Sequence, residues 1–104
     1  MLVMIMIPIS KLFDSTLLTP DKNFEEISTF VKKSIENNVR AIAVPWFYIP
    51  KAIEMLSDTD IGIIVGIDFP LGYSPLEMKI KEIKYYIKQV RITDFDVMIN
   101  LCAV

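Results

Sequence analysis

Two kinds of hydrophobic pattern run along this chain. Ala41-Ile42-Ala43-Val44 and Ile61-Gly62-Ile63-Ile64-Val65-Gly66-Ile67 are almost without polar positions, which predicts short strands covered on both faces. Pro45 ends the first of these, and Asp68 to Gly72 supplies the turn that closes the second. Elsewhere apolar residues recur at helical spacing. Phe24, Ile27, Phe30, Val31, Ser34 and Ile35 fall on one face of a helix that Asn23 and Glu26 open as a capping box and Asn37-Asn38 stops. Pro50 fits the first turn of a short helix around Lys51 to Leu56. Ser74-Pro75-Leu76-Glu77 predicts a third helix, with a Ser cap, Pro at the first position and Glu at the third. Its stripe of Leu76, Ile80, Ile83 and Ile87 is expected to be buried, and Lys79, Lys81, Lys84 and Lys88 to form a solvated face. Ile9 to Thr16 reads as the first strand, followed by a loop at Thr19-Pro20-Asp21, and Phe95 to Leu101 reads as the fourth.

The order is therefore β-α-β-α-β-α-β. Strands this apolar need both faces covered, so parallel pairing with right-handed helical crossovers is expected, which gives an α/β fold. An open doubly wound sheet and a (β/α)8 TIM-type barrel both satisfy that rule. A complete barrel takes about 250 residues, and a chain of 104 with four strands has the repeat count of about half of one. The first and fourth strands would then present bare edges, which proteins normally cover.

Composition narrows the function. At 53% hydrophobic, 23% charged and a formal net charge of -2, the chain reads as one compact domain without a basic stripe, which argues against nucleic-acid binding. It contains no histidine, which removes Ser-His-Asp and Cys-His nucleophile systems and histidine-ligated zinc. Its one cysteine, Cys102, cannot form an internal disulfide or a thiolate cluster, and a cytoplasmic setting fits best. Met1 to Ile7 are apolar but too few to span a bilayer, and no cleavage signal follows, so they read as a buried strand or plug and no membrane is expected. Gly62, Gly66 and Gly72 are spaced wrongly for a phosphate loop or a dinucleotide fingerprint.

The polar residues inside the strands are the candidate chemistry. Alternation groups Leu12, Asp14 and Thr16 on one face of the first strand, and Asp94, Asp96, Met98 and Asn100 on one face of the fourth. A carboxylate in an apolar strand calls for a partner or a task, because burying it ionised and alone costs several kcal/mol. Two readings stay open on the residues alone. In one, Asp14 caps the next turn and Asp96 pairs with a lysine or a backbone amide; in the other, both face a reacting molecule.

Four segments carry a family resemblance. Phe13-Asp14-Ser15-Thr16-Leu17-Leu18-Thr19-Pro20-Asp21 resembles the D-x-T-L-L-x-P opening of deoxyribose-phosphate aldolases, and Pro45 to Pro50 resembles the segment after their second strand, which ends Y-[VI]-P. Val65 to Gly72 resembles V-x-G-F-P-x-G with one residue inserted, and Phe95-Asp96-Val97-Met98-Ile99-Asn100 resembles I-D-M-V-I-N. Four motifs in the right order make the match specific. The resemblance implies a (β/α)8 barrel and a class I aldolase that reversibly cleaves 2-deoxyribose 5-phosphate to glyceraldehyde 3-phosphate and acetaldehyde through a lysine Schiff base. It implies that Asp96 takes part in proton transfer, that Asp14 supports the same charged network, and that Thr16, Leu18 and Asn100 line the substrate pocket. Neither a cofactor nor a metal is expected, because iminium chemistry supplies its own electron sink.

The departures define what is expected of this chain. The resemblance puts the Schiff-base lysine, its partner lysine and the phosphate-binding glycine loops on later strands than these four. The chain thus reads as a single N-terminal half of an aldolase-type barrel over residues 1–104, inactive alone and acting on a sugar phosphate or aldehyde only with the missing C-terminal half. The alternative is a non-catalytic half-barrel that self-associates as a homo-oligomer and serves as a binding or structural module. A third reading, an open α/β sheet holding an unrelated metabolite at its strand ends, requires the four-motif match to be coincidence.

Overall fold

The structure, a computed structural model, describes residues 7–89 and 91–101. Cys102 and Met1 to Met6 lie outside the described residues, and Ile7, expected in a buried plug, is exposed. Among the described residues there are four strands: β1 (Asp14–Thr16), β2 (Ala41–Ala43), β3 (Gly62–Ile67) and β4 (Ile92–Val97). They form one sheet in the order β1-β2-β3-β4, and every pairing is parallel. Helices α1 (Phe24–Glu36), α2 (Ile49–Met55) and α3 (Leu76–Tyr86) occupy the three connections.

Helix α1 follows its sequence signals closely. The Asn23 side chain accepts from the Glu26 amide at 2.8 Å and the Glu26 carboxylate accepts from the Asn23 amide at 2.8 Å, which satisfies two donors that a helix start leaves without partners. Ile27, Val31 and Ser34, spaced i, i+4 and i+7, turn inward, and the Ser34 hydroxyl donates back to the Phe30 carbonyl at 2.9 Å. They meet Ile42, Ile63, Val65 and Ile67 from the sheet and Tyr48, Ala52 and Leu56 from the second connection in one apolar layer. The Tyr48 hydroxyl, buried in that layer, bonds to the Ser28 hydroxyl and approaches the Met55 sulfur at 3.3 Å.

Three boundaries differ from the sequence reading. Ile9–Leu12 is a 3-10 turn rather than the start of β1, with Ile9 and Leu12 exposed, so strand alternation does not reach Leu12. Pro8 initiates that turn, and its carbonyl accepts from the Lys11 amide at 2.9 Å. Strand β4 lies earlier than Phe95 to Leu101, because its ladder needs β3, which ends at Ile67; the Met98 amide makes the last bond, 3.0 Å to the Ile67 carbonyl. Met98 and Asn100 therefore stand beyond the strand. On α3 the expected stripe fails: Leu76 is 71% exposed and Ile87 66%, Ile80 is also exposed, and Ile83 is half-buried. The face that turns inward runs through Lys79, Ile83 and Tyr86, again i, i+4 and i+7. Pro75 rather than Ser74 is the capping residue, because the Ser74 hydroxyl is bonded elsewhere.

Candidate active site

Register decides which side chains share a face. Asp14 lies beside Ala41 and Ala41 beside Gly62; Thr16 lies beside Ala43, Ala43 beside Ile64 and Ile64 beside Asp94; Gly66 lies beside Asp96. Neighbours in register point to the same side of a sheet. The intervening residues Ile42, Ile63, Val65 and Ile67 pack against the helices, so Asp14, Thr16, Asp94 and Asp96 all stand on the helix-free face. Ala41, Ala43 and Ile64 form a small apolar floor there, with Leu18 packed against it. Of the five expected site residues, Asp14, Thr16, Leu18 and Asp96 are brought to one face. Asn100 follows β4 on an exposed segment.

The residue that organises this face is Arg40, which sequence reasoning missed. From the N-terminal end of β2 its Nε donates to Asp14 Oδ1 at 2.7 Å, and its Nη2 donates to Asp14 Oδ2 and to Asp94 Oδ2, both at 2.9 Å. Asp14 thus caps no turn; it is held in a two-point bond to a guanidinium. The Arg40 hydrogen bond, helped by Thr93, holds the Asp94 carboxyl below its ordinary range, while the two carboxylates raise Arg40 above its own. Asp96 is exposed and pairs with no cation among the described residues. The available signal was Arg40 itself, one of two arginines in the chain, set at the mouth of an apolar strand.

A second charged cluster sits at the other end of the sheet. Lys79, expected in water, is 12% exposed; its ammonium donates to Asp68 Oδ2 at 2.5 Å, to the Met98 carbonyl at 2.8 Å and to the Gly72 carbonyl at 3.0 Å. Asp68 also accepts from the Ser74 amide and hydroxyl, both at 2.8 Å, and its own amide donates to Glu82 at 2.9 Å. Lys79 first, then Ser74, keeps the Asp68 carboxyl below its usual range. Asp68 stands directly before Phe69-Pro70 at φ +57°, the place that V-x-G-F-P gives to glycine. Gly72, at φ +71°, is a position that only glycine fills easily, and a Cβ there would overlap the Ile99 carbonyl. Helical geometry, had it overridden polarity, would have put Lys79 on the face of Ile83.

Beside the carboxyl ends of β1 to β3 a cavity of about 310 Å³ opens between the connecting loops. Leu18, Lys22, Trp46, Phe69, Glu82 and Tyr86 contribute to its wall. The carboxyl ends of strands are where parallel α/β sheets hold their ligands. No lysine lies on any of the four strands. Among the described residues no group of three or more carboxylates or thiols converges as a metal site would, and no helix is long and apolar enough to cross a membrane.

No family model matches the chain. It is 34% identical over 90 residues to a deoxyribose-phosphate aldolase of Dictyoglomus turgidum and 36% identical over 96 residues to one of Clostridium botulinum, alignments that take in 86% and 92% of this chain. The chain is similar to deoxyribose-phosphate aldolases. It spans about two fifths of these relatives, 41% and 42% of their lengths. Solved structures agree. An aldolase named QR15 matches with a TM-score of 0.81 at 28% identity, covering 94% of this chain and 43% of that one. A tetrameric deoxyribose phosphate aldolase from Aeropyrum pernix matches with a TM-score of 0.78 at 26% identity, covering 90% and 40%. The expected fold class stands: consecutive parallel strands with helical crossovers, corresponding to part of the (β/α)8 barrel of these aldolases.

Proposed function

We propose that this chain is the N-terminal half of a deoxyribose-phosphate aldolase-type lyase, which with its complement reversibly cleaves 2-deoxyribose 5-phosphate through a lysine Schiff base. The observation that carries this reading is the shared helix-free face of Asp14, Thr16 and Asp96. Asp96, uncommitted to any cation among the described residues, serves as the acid/base that moves protons at the Schiff-base intermediate. Asp14 and Asp94, tied to Arg40, supply the fixed charges around it. Thr16, Leu18 and Asn100 contact the substrate. The nucleophilic amine comes from the complement, because the described lysines stand on helices and loops, and Lys11 and Lys79 are already paired with Asp60 and Asp68.

Borohydride reduction in the presence of 2-deoxyribose 5-phosphate tests the proposal. The 104-residue chain alone is expected to gain no label; joined to the remaining part of a similar aldolase, it yields a labelled lysine in the added part. Asp96→Asn in the joined protein is expected to lower turnover by about 100-fold or more. A label on a lysine of residues 1–104, or full turnover without the Asp96 carboxylate, overturns the assignment.

A second reading has its own support. Leu76, Ile80 and Ile87 leave an apolar strip exposed on α3, and among the described residues β4 is paired on one edge only. Self-association as a non-catalytic half-barrel would cover both, and light scattering of the purified chain distinguishes a stable dimer from a chain that aggregates without its complement.

A further inference from the structure

Among the described residues β4 is an edge strand with one ladder, to β3, and an edge strand is free to slip where little pins it. A slip of one residue would turn Asp94 and Asp96 into the apolar layer beneath the helices and turn Phe95 out. The observed pairing avoids this through a bulge: Ile63 lies beside Ile92, but Ile64 lies beside Asp94, so Thr93 is an extra residue on β4. Gly62 makes the room, since a Cβ there would run into the Thr93 side chain, and the Thr93 hydroxyl donates to the Ile63 carbonyl at 3.3 Å. Before the bulge, Ile92 packs on the helix side; after it, Asp94 and Asp96 stand on the open side while Phe95 keeps to the core.

Two cations hold the strand after the bulge. Arg40 grips Asp94, two residues before Asp96, and through Asp14 ties β4 to β1 across the open face. Lys79 grips the Met98 carbonyl, two residues after Asp96, and its own ammonium is fixed by Asp68 and the Gly72 carbonyl. We infer that Arg40 and Lys79 are positioning residues, a two-point clamp that keeps the bulged register of β4 and aims Asp96 onto the open face. The inference rests on the proposed role of Asp96 for its meaning, though not for its test.

The test uses NMR on the isotope-labelled 104-residue chain. In the unaltered protein, Asp96 side-chain protons are expected to show cross-strand contacts to Gly66. In Arg40→Met and in Lys79→Met these contacts are expected to weaken by half or more, with β4 amides including Met98 exchanging about tenfold faster while α1 and β2 amides keep their rates. Arg40→Lys, which keeps a cation in reach, is expected to restore part of the contact. Unchanged Asp96–Gly66 contacts in both Met variants would overturn the clamp, as would equal acceleration of every amide, which marks a contribution to global stability alone. Arg40 is 41% exposed and outside the apolar layer, so Arg40→Met keeps the test open if Lys79→Met fails to fold. The outcome is separable from the aldolase reading: clamp-dependent contacts together with a fully active Asp96→Asn joined protein would retain the clamp and discard the proposed function.

Discussion

The two faces of the one sheet are built to opposite rules. Against the helices, Ile42, Ile63 and Ile67 are fully buried and interlock with α1, Tyr48 and Leu56, a layer with almost no polar groups. On the other side the same strands present alanines, glycines and aspartates, with Arg40 lying across two of the carboxylates. The apolar layer therefore resides on one face and the proposed chemistry on the other. A strand with a period of two permits this, because alternate residues answer to different demands.

The contrast can be broken by substitution. Ile42→Ala, on the closed face, is expected to cost about 2 to 5 kcal/mol in urea unfolding, the range for emptying a packed aliphatic site. A loss no larger than that of Thr16→Ala on the open face would show that the helix layer does not carry the fold. Acid sharpens the contrast with a smaller effect. Asp68 and Asp94 are held below their ordinary range in the folded chain, so their folded values lie under their unfolded ones. Their contribution is complete above the unfolded value of about 4 and is lost as pH falls through the folded values. The urea midpoint is expected to decline below pH of about 4, and to decline less in Arg40→Met, which no longer holds Asp94 down. The least effect belongs to the uncovered strip on α3, where Leu76→Ala should stay within about 0.5 kcal/mol by the same unfolding measurement. A larger loss there would mean that α3 already packs against something in the isolated chain.

Much of the closed face was legible because it obeys local rules. Asn23 and Glu26 announced α1 through backbone donors that must find partners, and the unbroken apolar runs announced β2 and β3. The open face was legible only in part. Alternation grouped Asp94 with Asp96 correctly, yet Phe95 to Leu101 placed the strand too late, since its length is set by where β3 stops. The bulge at Thr93 depends on Gly62, thirty-one residues earlier, and no local pattern announces it. Lys79 misled for a different reason. Its charge outweighed its helical position, although three oxygens were waiting to receive the ammonium. Arg40 likewise gained its meaning from carboxylates on strands that only the completed sheet brings near.

The glycine at position 72 has a mechanical consequence. With the Ile99 carbonyl occupying the volume a side chain would need, the β3–α3 loop and the segment leaving β4 rest directly against each other, backbone to backbone. Any side chain at position 72 would have to push these two segments apart, next to the loop from which Phe69 reaches the cavity wall.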